Sequence, residues 1–295
     1  MTAIRTDVRD EILGAEAGSL WTKFRQPGGI RALLRLLAAA AWTVLLLPVL
    51  VVGMALASPR AIWRRRARNR VVRLWARGLA WIAGMRIHVH GTPPAPPFFL
   101  VANHVSYVDI LLLLATTETT VFVAKRELAE WPFLGYLTRL VGTIYLDRAS
   151  RRDARRAVSA IEHCTRSGDG AIAFPEGTSS DGATIYPMKA ALFEWAVAES
   201  RPVRTATLYY QTPADAPPAR TAICWWGAAT FLPHLIDLCR LHGFAGTVHF
   251  HADPIHGDDR TALATLARQR IAASFVPHLE PLSPAESVQY VHSSP

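Results

Sequence analysis

From Leu36 to Ser58 the chain runs LLAAAAWTVLLLPVLVVGMALAS, 23 residues without a charge. As a helix, such a run is long enough to cross a hydrocarbon core of about 30 Å. This one segment therefore points the chain towards a membrane. Pro48 is tolerable there, because neighbouring groups in a lipid-embedded helix satisfy the carbonyl it frees. Trp42, Trp63, Trp75 and Trp81 lie in or near the segment, as interface anchors would. A secretory signal is a poorer reading of Ala55-Leu56-Ala57, since the apolar run is too long and starts late. A buried alanine-rich core helix is disfavoured by six arginines between Arg60 and Arg70.

The net charge of +9 invites a nucleic-acid reading until its location is examined. Nine arginines and no acidic residue lie between Arg60 and His90, which leaves 23 basic and 23 acidic residues to cancel elsewhere. The excess thus sits directly behind the apolar run, where anionic headgroups attract it, and a membrane surface is preferred to nucleic acid. Residues 61–85 place Ile62, Val71, Val72, Trp75, Leu79 and Ile82 near helical spacing among arginines. That pattern predicts a basic amphipathic helix on a membrane, or a helix packed on the domain with a solvated basic face. Short basic flanks stay in the cytoplasm, so the expectation is a cytoplasmic-membrane protein whose body faces the cytoplasm, attached through residues 36–82.

With 51% apolar and 19% charged residues, the rest of the chain can bury a sizeable core. Cys164, Cys224 and Cys239 lie far apart, which supports neither a disulfide framework nor a cysteine zinc site. The proline-rich stretch Gly91 to Pro97 reads as a break between the membrane part and the body of the chain. Beyond it, apolar runs alternate with helical patterns. Strands are predicted at Arg86–His90, Phe98–Ala102, Thr120–Ala124, Thr143–Leu146, Ala171–Phe174, Val203–Tyr210, Ala222–Trp226 and Thr247–His251. Helices are predicted near Tyr107–Ala115, Arg151–Thr165, Met188–Glu199, Pro233–Leu241 and Asp259–Ser274. The expected fold class is α/β, a mixed sheet flanked by helices with an N-terminal helical membrane-anchoring segment. The expected organisation is a polar segment over 1–30, anchor and basic helix over 31–85, a catalytic domain over 86–280 and a disordered tail over 281–295.

Phosphate-binding glycine loops, H-E-x-x-H and G-x-S-x-G are all absent from the sequence. Two strand-end constellations remain. Asn103-His104-Val105-Ser106-Tyr107-Val108-Asp109 follows the apolar run PFFLVA. If the chain turns into a helix there, Asp109 can hold the His104 imidazole in the tautomer that accepts a proton from a hydroxyl. The same residues also read as a capping box, Ser106-x-x-Asp109, with His104 an ordinary interior histidine. Phe174 to Gly182, FPEGTSSDG, follows the second apolar strand and reads as a ligand-approaching loop with Glu176 beside it, or simply as a turn.

In order and spacing these blocks resemble the membrane-bound glycerolipid acyltransferases. N-H-x-x-x-x-D is matched by Asn103, His104 and Asp109; K-x-x-L-x-x-x-P-x-x-G by Lys125, Leu128, Pro132 and Gly135; G-x-x-Y-x-D-R by Gly142, Tyr145, Asp147 and Arg148; and F-P-E-G-T by Phe174 to Thr178. The resemblance implies that His104 deprotonates the hydroxyl of a lysolipid, which attacks an acyl-carrier-protein or coenzyme A thioester, with Asp109 orienting the imidazole. It assigns headgroup binding and oxyanion stabilisation to Lys125, Arg148, Glu176, Gly177 and Thr178, and implies no metal or cofactor. One departure stands out: the family commonly has arginine after F-P-E-G-T, and this chain has Ser179. That form, and the stretch WWGAATFLPHLIDLCRLHGFAGTVHFHADPI, look like a branch that includes lyso-ornithine lipid acyltransferases. The acceptor is therefore lysophosphatidate or lyso-ornithine lipid. A protein of a different class, a non-catalytic membrane-anchored binder of acidic lipids, is the remaining alternative.

Overall fold

The computed structural model describes residues 20–57, 61–119, 121–130, 134–146 and 151–277. A long apolar helix, α1 (Gly29–Leu56), turns back into α2 (Ala61–Ala83), and β1 (Met85–His90) enters the sheet. Then come β2 (Phe98–Ala102), α3 (Val108–Thr116), β3 (Val121–Lys125), α4 (Leu134–Leu140), β4 (Ile144–Leu146), α5 (Arg151–Arg166) and β5 (Gly170–Ala173). The chain closes with α6 (Glu194–Ala198), β6 (Arg204–Gln211), α7 (Ala219–Ala222), α8 (Phe231–Arg240), β7 (Phe244–Phe250) and α9 (Arg260–Ala273).

Among the described residues, seven strands form one mixed sheet in the order β1-β7-β6-β2-β5-β3-β4. Only β6 and β7 pair antiparallel; every other neighbour is parallel. Strand β2 is buried at every position, as a central strand covered on both faces must be. Leu100, Ala102, Leu208 and Phe250 face the layer made by α2 and α3, while Phe99, Val101 and Ala171 face Ile161 of α5 and Ala267 and Ile271 of α9.

The helices α1 and α2 form an antiparallel hairpin, with Arg35 beside Gly84 and Trp42 beside Gly78. Glycine is required at 78, because a Cβ there would overlap the Trp42 indole. Trp42 Nε1 donates to the Trp75 carbonyl at 3.1 Å, and Trp75 Nε1 to Thr43 Oγ1 at 3.0 Å. Trp42 and Trp75 therefore join the two helices rather than anchor an interface, whereas Trp63 and Trp81 are exposed. On the outer side of α1, Leu33, Leu34, Leu37, Val44, Leu45, Val49, Val52 and Leu56 are exposed. The uncharged run is thus the larger part of a helix that starts seven residues earlier, long and apolar enough to cross a membrane.

Several arginines of α2 point at the body. Arg68 pairs with buried Asp169, Arg65 donates to the Ser167 carbonyl, Arg73 Nη2 to the Thr116 carbonyl at 3.2 Å and Arg77 Nε to the Ala115 carbonyl at 3.0 Å. Arg31 Nη1 and Arg35 Nη1 bond the Arg240 and Leu241 carbonyls at the end of α8, each at 2.7 Å, where a cation complements the helix dipole.

Other expectations are corrected. The proline break at 91–97 lies inside the domain, because β1 precedes it and pairs with β7. Ala222–Trp226 is no strand: α7 ends at Ala222, and the following turn buries Ile223 and Cys224 without a ladder. Met188–Glu199 divides into a 3₁₀ turn and the short α6, while α4 had no counterpart in the sequence reading. The tail at 281–295 lies outside the described residues.

Candidate active site

Strand β2 leaves the sheet at Ala102, and Asn103 makes that departure possible. Its Oδ1 accepts the Leu208 N–H at 2.7 Å, and its Nδ2 donates to the Leu208 carbonyl at 2.9 Å. One amide side chain thus replaces the ladder pairing that β2 would have made with β6, and frees the backbone of the next residue to turn. His104 stands at that turn, its ring stacked on Phe174 at 4.2 Å and 13°.

The imidazole Nδ1 lies 2.7 Å from Asp109 Oδ2. Asp109 is fully buried in the first turn of α3. The same Oδ2 accepts the N–H groups of Val105 at 2.7 Å and Ser106 at 2.9 Å, and Oδ1 accepts the Tyr210 hydroxyl at 2.7 Å. Four donors surround the carboxylate, and in that arrangement Nδ1–H is the donor of the imidazole. Burial, then the charge of Asp109, pushes the Tyr210 phenol well above its ordinary range, so it stays a donor. The remaining ring nitrogen, Nε2, is left to accept a proton, and 16% of the His104 side chain is exposed for substrate to reach. The capping and catalytic readings of Asp109 are therefore compatible: the contacts that close the helix start also fix the imidazole.

A second carboxylate braces the opposing loop. Glu176 Oε1 accepts the His104 backbone N–H at 2.7 Å, and Oε2 accepts the Tyr186 N–H at 2.8 Å. Burial pushes this carboxyl up to about 8 against the two backbone bonds, which act the other way. Ser180 N–H donates to the His104 carbonyl at 2.9 Å, so both peptide groups flanking His104 are held by the loop after β5. A third segment, residues 219–226, closes over the first two. Trp225 N–H donates to the Val105 carbonyl at 2.8 Å, Ser179 Oγ donates to the Trp225 carbonyl, and Arg220 Nη2 lies 3.4 Å from Asp181 Oδ2. Arg220 also stacks beneath the Trp226 ring, 5.1 Å from its centroid.

A lyso-ornithine lipid O-acyltransferase of Brucella abortus is 32% identical over 260 residues, covering 83% of this chain and 94% of that relative. The chain belongs to the acyltransferase family. The family described as Acyltransferase matches residues 86–209, from β1 into β6. A 1-acyl-sn-glycerol-3-phosphate acyltransferase of Neisseria meningitidis is 31% identical over 211 residues, covering 70% of this chain and 81% of the relative. The crystal structure of the 1-acyl-sn-glycerophosphate acyltransferase PlsC from Thermotoga maritima shares the fold, with a TM-score of 0.59 at 20% identity over 83% of this chain and 96% of that one.

In this acyltransferase His104 and Asp109 meet as the spacing anticipates, and the other expected positions divide. Lys125 ends β3, which neighbours β5, so its backbone emerges at the same end of the sheet as the 174–182 loop. Arg148 lies outside the described residues. Thr178 is exposed at the loop tip. Glu176 has both oxygens on backbone N–H groups, and the Gly177 N–H is taken by the Phe174 carbonyl at 3.0 Å. In this geometry both residues hold the loop in shape. Tyr210, Trp225 and Arg220 were not anticipated: each comes from a distant element, and no local spacing links them to His104.

Proposed function

We propose that this acyltransferase moves a fatty acyl group from an acyl-carrier-protein or coenzyme A thioester to the hydroxyl of a lysolipid. The observation that carries this reading is the buried Asp109 carboxylate bonded to Nδ1 of a partly exposed histidine at a strand end. His104 Nε2 takes the proton as the acceptor oxygen attacks the thioester carbonyl. The tetrahedral intermediate then expels the thiolate, which recovers that proton from the imidazolium. Asp109 holds the ring and stabilises its charged form, and Tyr210 holds Asp109.

For the acceptor, Ser179 supports lyso-ornithine lipid. Where the family commonly has arginine, Ser179 turns to the Trp225 carbonyl and docks the 219–226 segment on the loop, and an acidic residue, Asp181, follows two positions later. A phosphate dianion has lost a bidentate partner there. Lysophosphatidate is the second reading, favoured by the name and coverage of the Neisseria relative and by the position of Lys125. Membranes holding the full chain, given labelled acyl donor with each lysolipid separately, decide between them by mass spectrometry of the products. Acylation of lyso-ornithine lipid at least comparable with lysophosphatidate is expected, and acylation of neither removes the transfer reading.

Attachment follows from the hairpin. Because α2 lies along α1 and is bonded to the body, a crossing α1 would drag seven arginines of α2 into hydrocarbon. An α1 lying in one leaflet, with its exposed apolar side towards the acyl chains, avoids that cost.

A further inference from the structure

A second histidine stands at the head of a chain of hydrogen bonds that ends on Asp109. His234 lies in the first turn of α8, with Nε2 3.1 Å from the Cys224 carbonyl and Nδ1 3.0 Å from the Tyr107 hydroxyl. A carbonyl only accepts, so Nε2 carries the proton. Burial holds this imidazole below its ordinary pKa, and in the neutral ring Nδ1 is left to accept from Tyr107. Burial also pushes the Tyr107 phenol up, which keeps it a donor.

The peptide group whose oxygen His234 holds is the one whose N–H, on Trp225, donates to the Val105 carbonyl at 2.8 Å. The next peptide group repeats the pattern. The Val105 carbonyl shares its peptide with the Ser106 N–H, which donates to Asp109 Oδ2 at 2.9 Å. Imidazole, peptide 224–225, peptide 105–106 and carboxylate thus lie head to tail, each donor polarised by the bond behind it. Tyr107, two residues past Val105, closes the chain into a ring. A parallel arm comes from the other loop: the Ser180 N–H donates to the His104 carbonyl at 2.9 Å, and the Val105 N–H of that peptide donates to Asp109 Oδ2 at 2.7 Å. The first arm is headed by an imidazole, the second by backbone. Both end on the oxygen that meets His104 Nδ1 at 2.7 Å, so the placing of these two peptide groups decides how the carboxylate meets the base.

Building on the acyl-transfer reading above, we propose that His234 is a positioning residue for the base. Through the 224–225 peptide it fixes the 105–106 peptide against Asp109, and so holds Oδ2 on Nδ1 of His104. A side chain 130 positions along the chain thereby serves the strand-to-helix turn that carries the chemistry.

The experiment uses the full-length chain in micelles with ¹⁵N-labelled histidine, and reads the Nδ1 proton resonance of His104, assigned by its loss in His104→Ala. In His234→Leu that resonance, held downfield by the carboxylate, should move upfield, and kcat should fall about ten-fold with the acceptor KM within about two-fold. His234→Gln again offers a donor and an acceptor, and should recover both readings, with kcat within about three-fold of wild type. Tyr107→Phe keeps the edge contacts with Trp225 and Phe231 and removes one bond, so a smaller change in the same direction is expected. An unmoved resonance in His234→Leu, a loss in His234→Gln as large as in His234→Leu, or a loss carried by KM overturns the proposal. Should His234→Leu fail to fold, Tyr107→Phe decides, and an unmoved resonance there overturns it. The resonance needs no turnover: a shift in a chain that acylates no lysolipid removes only acyl transfer, whereas turnover with an unmoved resonance removes only this inference.

Discussion

The α1–α2 hairpin and the loops at the carboxyl ends of β2 and β5 are both held by polar contacts, but of opposite kinds. In the hairpin, long arginine side chains reach backbone carbonyls at separate points, so each contact is local and replaceable. In the loops, two buried carboxylates each gather more than one donor, four at Asp109 and two at Glu176, and one residue serves many contacts. The contacts of the hairpin are therefore distributed, whereas those of the candidate site are concentrated, and substitutions should be tolerated in the first region and punished in the second.

The largest effect expected is at the point of greatest concentration. His104→Ala removes the proton acceptor while leaving the Asp109 bonds to backbone and Tyr210, so kcat/KM should fall by about 10²–10⁴-fold with the melting temperature nearly unchanged. Activity within a few-fold of wild type in washed membranes would contradict the assignment.

A smaller effect, on stability rather than rate, is expected at the seam between segments. Arg220 is 8% exposed, and among the described residues its Nε and Nη2 have no hydrogen-bond partner beyond the nearby Asp181 charge. Arg220→Met leaves Asp181 buried without its counter-charge, and chemical denaturation should show a loss of about 3 kcal/mol. The double variant Arg220→Met with Asp181→Asn should regain part of that loss. Additive losses would mean that the two side chains do not stabilise each other.

The smallest effect is expected in the hairpin. Leu45→Asp with Val52→Asp, on the exposed side of α1, should lower membrane retention in high salt, with about an order of magnitude more protein in the soluble fraction and the fold intact by circular dichroism. Equal loss of folding would place that side of α1 against protein instead of lipid.

The same contrast explains what could be read before the structure. The hairpin announced itself by composition, since 23 uncharged residues followed by an arginine cluster are visible in any window. Its geometry was not: the indole of Trp42 fits α2 because residue 78, far along the chain, is glycine. Strand β2 was found to the residue, being short, apolar and bounded by Pro97 and Asn103. The strand predicted over Ala222–Trp226 failed because apolar residues filling a gap between loops have no period to separate them from a buried strand. At the site, His104 and Asp109 were legible because they lie five residues apart, inside one strand-to-helix turn. Tyr210, which completes the Asp109 cage, is 101 residues away and reads in sequence as one more apolar residue of β6.

The bonds from Arg73 and Arg77 to the carbonyls of Thr116 and Ala115 join α2 to the far end of α3, the nine-residue helix whose first turn holds Asp109. At 1.5 Å per residue α3 is about 13 Å long, so one helix lying against α2 carries the arginine contacts at its last turn and the Asp109 carboxylate at its first. With α1 seated in one leaflet, as proposed above, this link would set the height of the imidazole over the bilayer plane, and with it the height at which an acceptor hydroxyl comes within reach.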